Sequence, residues 1–450
     1  MEINNNMLKL AYYGDDFTGS TDVMESLSLA GIPTALFLEP QDIEEVNKFQ
    51  FRNQIYQNQH IQAAGVAGIS RTYTLDQTND ILPGIFQKIC TWNAQYFHYK
   101  ICSTFDSSPT VGSIGRALEI AKMYFYAPNI PLLVGAPHLN RYVVFGNLYA
   151  RIHGTTHRLD RHPTMSKHPI TPMNESDLLI HLQKQTALKS KLLDIWMLEN
   201  HDISKIWGNI NLDNDGDIIL FDTLYPSHLK TIGQLISQTT SQNNRLLVGS
   251  SAVENALFPN THAANNFKNA GKADTLLVMS GSCSPVTAEQ IQYAEHKGFN
   301  TLAIDATKLL NESERASEMQ RVAQWVLQSM QSKTPTICYS ALGPDDESVH
   351  KVKNIKGGQE MLPVLQGQLF KNIIQDNKPR RVIAVGGDTS GKISQILGIN
   401  ALEFLMPLAP GAPMCISHAH DNATDNLQII LKGGQNGDAT FFEKAYNGVV

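Results

Sequence analysis

The same local order occurs near each end of the chain: a short apolar run, a tight turn of glycine and aspartate, and then a helix. Near the N-terminus, Leu8 to Tyr13 leads into Gly14-Asp15-Asp16-Phe17-Thr18-Gly19. Near the C-terminus, Val382 to Val385 leads into Gly386-Gly387-Asp388-Thr389-Ser390-Gly391. A buried strand that turns abruptly into a helix belongs to an open α/β sheet, where ligands bind beyond the carboxyl ends of the strands. The glycines let backbone approach phosphate, and the helix N-terminus behind them favours negative charge. Two such loops so far apart predict two ligand-binding halves facing one cleft.

The pattern continues between these loops. Val23, Leu27 and Ala30 recur at helical spacing, Gly31 stops the helix, and Ala35 to Leu38 is the next strand. Gly65 to Ile69 and Phe97 to Ile101 read as strands, a helix runs from about Gly112 to Met123, and Leu132 to Val134, Ile218 to Phe221 and Leu246 to Val248 add further strands. Asn255 to Lys272 has few large apolar residues and no period, which reads as a linker. A second series has strands at Leu276 to Met279, Leu302 to Ile304, Thr336 to Tyr339, Val382 to Val385 and Gln428 to Leu431, with a helix around Arg321 to Met330. At 450 residues, one core is expected to divide. The expectation is an α/β chain of two domains, 1–254 and 273–450. Each has a largely parallel sheet flanked by helices.

Composition narrows the function. The net charge of −6 argues against a nucleic-acid partner. Five cysteines, with no CxxC pair, argue against a disulfide framework or a thiolate zinc site and for a reducing, cytoplasmic setting. Met1 to Asn6 lacks the basic and apolar regions of a signal peptide. No apolar run approaches the roughly 18 residues of a membrane helix.

Small polar residues follow strand after strand. In the first half they are Asp15, Asp16 and Thr18; Ser70 and Arg71; and Ser103, Thr104, Asp106 and Ser107. With Lys100 inside a strand pattern, this set suits a small polyhydroxy acid. Arginine can hold a carboxylate bidentately, and an aspartate can accept a proton from an attacking hydroxyl. In the second half they are Ser280, Gly281 and Ser282; Gly386 to Gly391; and Lys432, Gly433 and Gly434. Glycine-rich turns with few fixed charges suit backbone donation to phosphates.

Plainer readings compete. Asp15-Asp16 could merely cap a helix starting near Ser20, Gly386-Gly387 could be only a tight turn, and Arg71 a solvated surface residue. Gly386 to Lys392 fits GxxxxGK, but Ile393 stands where a P-loop needs Ser or Thr for magnesium, so an ordinary P-loop is not expected. No GxGxxG follows a strand, which disfavours a nicotinamide enzyme. His153, His157, His162 and His168 match no common zinc spacing and read as surface histidines.

Taken in order, six motifs resemble the four-carbon acid sugar kinase family, which includes kinases of 3-oxo-tetronate, threonate and erythronate. They are Gly14 to Asp22, Lys100 to Ser107, His168-Pro169-Ile170-Thr171-Pro172-Met173, Ser280-Gly281-Ser282-Cys283-Ser284, Gly386 to Gly391, and Lys432-Gly433-Gly434. The resemblance spans nearly the whole chain. It implies an N-terminal domain for the sugar acid, with Asp16, Arg71, Lys100, Ser103, Thr104, Asp106 and Ser107 in the substrate site. It implies a C-terminal domain for ATP, with Ser280, Ser282, Gly386 to Gly391 and Gly434 in the nucleotide site. The expected reaction is phosphorylation of a terminal hydroxyl by ATP with Mg2+. Asp16 or Asp106 is the expected base, the magnesium ligands are unassigned, and a homodimer is left open. Lys392, Gly135-Ala136-Pro137-His138 and the segment Arg158 to Lys167 depart from the family pattern and point to a different acid. The rival readings are a sugar-acid isomerase or aldolase with a phosphate loop, and a non-catalytic sensor of metabolite and nucleotide.

Overall fold

The computed structural model describes residues 7–152, 154–167, 170–200, 202–212, 218–238, 242–259 and 267–450, with backbone alone at 210–212 and 388. The contacts divide the chain into two compact units, Met1–Gln50 with Gln59–Ala264, and Phe51–Asn58 with Asn265–Val450. Nothing in the local sequence sets residues 51–58 apart from the first half. They join the second unit because Glu403, fully buried there, accepts the amides of Arg52 and Asn53 at 3.0 Å. The Asn53 amide also donates to the carbonyl of Phe404 at 2.8 Å, and the Arg52 guanidinium bonds Asp425 at 2.9 Å.

In the first unit the strands are β1 (Leu10–Gly14), β2 (Thr34–Phe37), β3 (Ala63–Ala67), β4 (Tyr96–Lys100), β5 (Ile130–Leu133), β6 (Arg141–Val144), β7 (Asn147–Ile152), β8 (Thr155–Arg158), β9 (Ser190–Leu193), β10 (Ile218–Phe221) and β11 (Arg245–Gly249). Its main sheet is parallel throughout, in the order β2-β3-β1-β4-β11-β5-β10-β9. β1, β4, β5, β10 and β11 are buried along their whole length. This is why β1, β5 and β10 read as continuous apolar runs rather than alternating ones. The register sets Gly14 beside Ala67 and Lys100, and Gly249 beside Lys100 and Leu133, so these carboxyl ends form one rim. β6, β7 and β8 form a small antiparallel sheet just after β5. Its half-exposed strands carry Arg151, His157 and Arg158, and so lack the apolar run that marks the others.

In the second unit the strands are β12 (Leu276–Ser280), β13 (Asn300–Ala303), β14 (Thr336–Tyr339), β15 (Arg381–Val385), β16 (Ile399–Met406), β17 (Met414–Ala419) and β18 (Gln428–Lys432). The order is β13-β14-β12-β15-β18-β17-β16; the first five are parallel, and β17 and β16 are antiparallel. Val278, Ile337, Ile383 and Ile430 form its core. The antiparallel pair was not expected from the alternating strand-helix order. Among the described residues no helix is long and apolar enough to cross a membrane.

Candidate functional site

In the first unit the loop after β1 sets the geometry. Asp16 is the N-cap of the helix Phe17–Leu29, which therefore begins before Ser20. Its Oδ1 accepts the Gly19 amide at 3.0 Å, and its Oδ2 accepts the Thr18 hydroxyl at 2.7 Å and faces Arg71 at 3.0 Å. Capping and charge pairing thus occupy one carboxylate. A Cβ at Gly19 would collide with the Asp16 carboxylate and the Lys100 ammonium. Glycine there admits both charges to the first turn.

Arg71 also faces Asp106 at 3.9 Å. Lys100 is buried at the end of β4 and donates to the carbonyl of Ile101 at 3.1 Å. Burial opposes its charge, but Asp22, Asp16 and Asp15 raise its pKa above the usual lysine value. Burial likewise opposes ionisation of Asp16, yet Arg71, Lys100, Thr18 and the Gly19 amide hold its carboxyl below the usual range. Asp15 differs. It is buried, its Oδ1 has no hydrogen-bond partner, and burial with the neighbouring Asp16 pushes its pKa up to about 7. Asp106 also has a buried Oδ1 without a partner. It follows Phe105, whose φ of 59° is unfavourable for a bulky side chain and marks local strain beside that carboxylate.

The rest of that loop is built from braces. Thr104 bonds the Cys102 thiol at 3.0 Å, and Ser103 is half-buried. Ser107 is held by His181 at 3.1 Å and by Gln185 at 2.9 Å, while donating to the carbonyl of Phe105. Its hydroxyl is already saturated, so it shapes the loop and is not free to meet a ligand. The structure therefore brings Asp15, Asp16, Thr18, Arg71, Lys100 and Asp106 together and sets Ser107 apart. Arg141, at the start of β6, was missed. Burial lowers its pKa, opposed in part by the charge of Asp106 nearby. His157 and His162 pack edge to face at 5.8 Å, whereas His153, His168 and Pro169 lie outside the described residues.

In the second unit the register places Ser280 beside both Val385 and Tyr339. Gly281 donates to the carbonyl of Val385 at 3.0 Å, and a Cβ on it would strike Thr389 and Gln366. Gly386 has a φ of 116°, open to glycine alone, and precedes the helix Gly387–Ile396. Its loop is thus a strand-to-helix turn with free amides at the helix N-terminus. The Ser390 hydroxyl donates to the carbonyls of Ala384 and Lys432, which makes it structural. Lys392 is exposed and, among the described residues, bonds Gln395 at 3.4 Å. The Asp388 side chain lies outside the described residues.

Ser282 accepts the Ser284 amide at 3.2 Å, and a Cβ on Gly434 would meet Ser282. Lys432 is fully buried; it donates to the carbonyl of Gly433 at 3.0 Å and to Thr287 at 3.4 Å and lies over the Phe441 ring. Burial pushes its pKa down to about 7. Beside Gly281 and Thr389 opens a cavity of about 220 Å³, lined also by Ser340, Val349, Leu362, Pro363 and Gln366. Its lining mixes apolar Val349, Leu362 and Pro363 with polar Ser340, Gln366 and Thr389. Gln366 was missed because a glutamine inside the helix Gly358–Asn377 reads as a surface residue, whereas it is buried and bonds the carbonyl of Ser280 at 3.2 Å.

Two family models match the chain. Residues 10–257 match that of a sugar-binding N-terminal domain, and residues 277–442 that of a nucleotide-binding C-terminal domain. The chain is 37% identical to a 3-oxo-isoapionate kinase of Paraburkholderia graminis, over 97% of this chain and 93% of that one. It is 26% identical to a 3-oxo-tetronate kinase of Pectobacterium atrosepticum, over 98% and 99%. The fold is shared with a Salmonella typhimurium structure described as a putative tRNA synthase, at a TM-score of 0.78 and 23% identity over 99% and 100% of the chains. The chain belongs to the four-carbon acid sugar kinase family and is a sugar-acid kinase, a phosphotransferase.

Proposed function

We propose that this kinase transfers the γ-phosphoryl group of ATP to the terminal hydroxyl of a small 3-oxo sugar acid, bound by the first unit. The observation that carries this reading is Asp106. Its buried, unpartnered Oδ1 beside the Arg71 guanidinium is an acceptor awaiting a donor. A substrate hydroxyl would supply that hydrogen bond and, in reacting, its proton. Asp16 is the poorer base, because Arg71, Thr18 and Gly19 already engage both of its oxygens. Its part is to orient Arg71. Arg71 and Lys100 then offset charge on the transferred group.

The amides after Gly386, together with Ser282, Gly434 and Lys432, would hold the phosphates, and the cavity beside Gly281 would hold the base. Magnesium would accompany ATP and screen its phosphate charge. No group of three or more His, Cys, Asp or Glu side chains among the described residues could hold a metal ion, which fits an ion held chiefly by phosphates and water.

The 3-oxo-isoapionate kinase relative, with the departures at Gly135 to His138 and Arg158 to Lys167, favours a 3-oxo acid other than the simple tetronates. Coupled ADP release with Mg-ATP tests this against 3-oxo-isoapionate, the 3-oxo-tetronates, and both enantiomers of threonate and erythronate. Stimulation by a 3-oxo acid is expected. Stimulation by threonate or erythronate alone would overturn the 3-oxo assignment, and binding of both ligands without ADP release would overturn the reaction.

A further inference from the structure

We propose that Arg141 anchors the substrate carboxylate and thereby sets the preference for an acid over a neutral sugar. The inference rests on the sugar-acid reading above and adds which residue meets the acid group. Neither expected cation has charge to spare. Arg71 is matched by Asp16 at 3.0 Å and faces Asp106 next. Lys100 sits among Asp22, Asp16 and Asp15. An incoming carboxylate would have to displace an aspartate from either one.

Arg141 has no such partner. No carboxylate among the described residues lies within ion-pair distance of it. Its Nη1 donates to the carbonyls of Leu139 at 3.1 Å and Asn140 at 3.2 Å, which fixes the plane of the guanidinium. Its Nε is sequestered from solvent and has no acceptor, and Nη2 bonds nothing among the described residues. The open Nε–Nη2 edge is the side that receives a carboxylate through two parallel hydrogen bonds.

The fold places Arg141 near the substrate rim, within electrostatic reach of Asp106. Arg141 opens β6 just after β5, whose Leu133 is in register with Gly249 and, through it, with Lys100. The intervening turn is pinned there by His138, which bonds Ser251 at 3.3 Å. Behind Arg141 stands His162, whose Nδ1 accepts the amides of Thr164 and Met165 at 3.2 Å. Burial and the neighbouring Arg141 lower the pKa of that imidazole, which keeps it neutral and free of repulsion toward the guanidinium. Two of the three departures from the family pattern, Gly135 to His138 and Arg158 to Lys167, thereby acquire one purpose, which is to position Arg141.

The test compares wild type, Arg141→Met and Arg141→Lys on the acid of the panel that gives the fastest ADP release and on its primary amide. In Arg141→Met the acid-over-amide ratio of kcat/KM should fall roughly 10- to 100-fold, the range for losing a charge-assisted hydrogen bond, through KM for the acid. KM for ATP should hold, and Arg141→Lys should recover part of the ratio. A ratio unchanged in Arg141→Met, or equal losses on acid and amide in both variants, would overturn the proposal while leaving the kinase reading intact. A wild type that turns over no acid of the panel would overturn both.

Discussion

Replacing Lys432 by methionine should make the second unit more stable while it weakens ATP binding. The native pKa of Lys432 falls from 10.5 to about 7 through burial. Between those values the unfolded chain holds a proton that the native protein has released. Stability therefore rises with pH across this window. Each pH unit within it corresponds to about 1.4 kcal/mol, so ionisation opposes folding by up to about 4 kcal/mol at pH 7 and about 2 kcal/mol at pH 9. The bonds to Gly433 and Thr287 and the Phe441 face favour the ammonium, so the true penalty is smaller than burial alone implies.

Methionine has similar length and no charge to bury. The gain of Lys432→Met over wild type should be largest at pH 7 and should shrink by about 2 kcal/mol by pH 9. A two-unit chain need not unfold in one step. The assay is therefore amide exchange in urea, read on peptides covering Arg381–Val385 and Gln428–Lys432, at both pH values. Differences between the two proteins cancel every other titrating group. A stability difference that does not change with pH, or a variant less stable at pH 7, would refute the reasoning. If phosphate meets this lysine, ATP binding at pH 8 should also take up close to one proton in wild type. In the variant it should take up almost none, measured as the buffer dependence of the binding enthalpy.

The remaining predictions concern both units. Asp106→Asn should lower kcat by about 10²- to 10⁴-fold with ATP affinity unchanged, while Asp16→Asn, which keeps the cap and loses the Arg71 pair, should cost less; stopped-flow ADP release with ATP titration checks both, and the reverse order would restore Asp16 as base. Asp15, with a pKa of about 7, is neutral below that pH and anionic above it. KM for the acid should therefore rise several-fold above pH 7 in wild type and stay level in Asp15→Asn, since a like charge nearby opposes an anionic substrate. Gly281→Ala drives a methyl toward Thr389 and Gln366 and should raise KM for ATP about tenfold or more, with acid binding intact by calorimetry.

Much of the architecture was legible because buried parallel strands announce themselves. The runs Ile218–Phe221 and Thr336–Tyr339 begin and end where the apolar pattern does. β16 and β17 were missed for a related reason. They carry Glu403 and His418 within strands, and Glu403 accepts the amides of Arg52 and Asn53, partners distant in sequence. A charge whose partner comes from elsewhere in the chain looks locally like a strand breaker.

The same limit explains the site. The loops after β1, β4, β12 and β15 could be found because glycine and aspartate after an apolar run have a local cause. Which groups are free to act could not, because freedom depends on partners. Asp16 and Asp106 look alike in sequence, yet one is engaged by three neighbours and the other keeps an open oxygen. Arg71 and Arg141 are equally unremarkable as letters, yet Arg71 pairs with Asp16 at 3.0 Å while Arg141 has no carboxylate within ion-pair distance among the described residues. The two units also handle charge in opposite ways. The first packs Arg71 and Lys100 against aspartates. The second relies on neutral amides and a lysine whose burial strips its proton. Below pH 7 that lysine already carries its charge and, if it holds phosphate, would meet it at no further cost. Above pH 7 the free site has lost the proton that the bound site keeps, so binding must first draw one from solvent. The advantage of wild type over Lys432→Met in ATP affinity should therefore be full below pH 7 and decline as the pH rises through it.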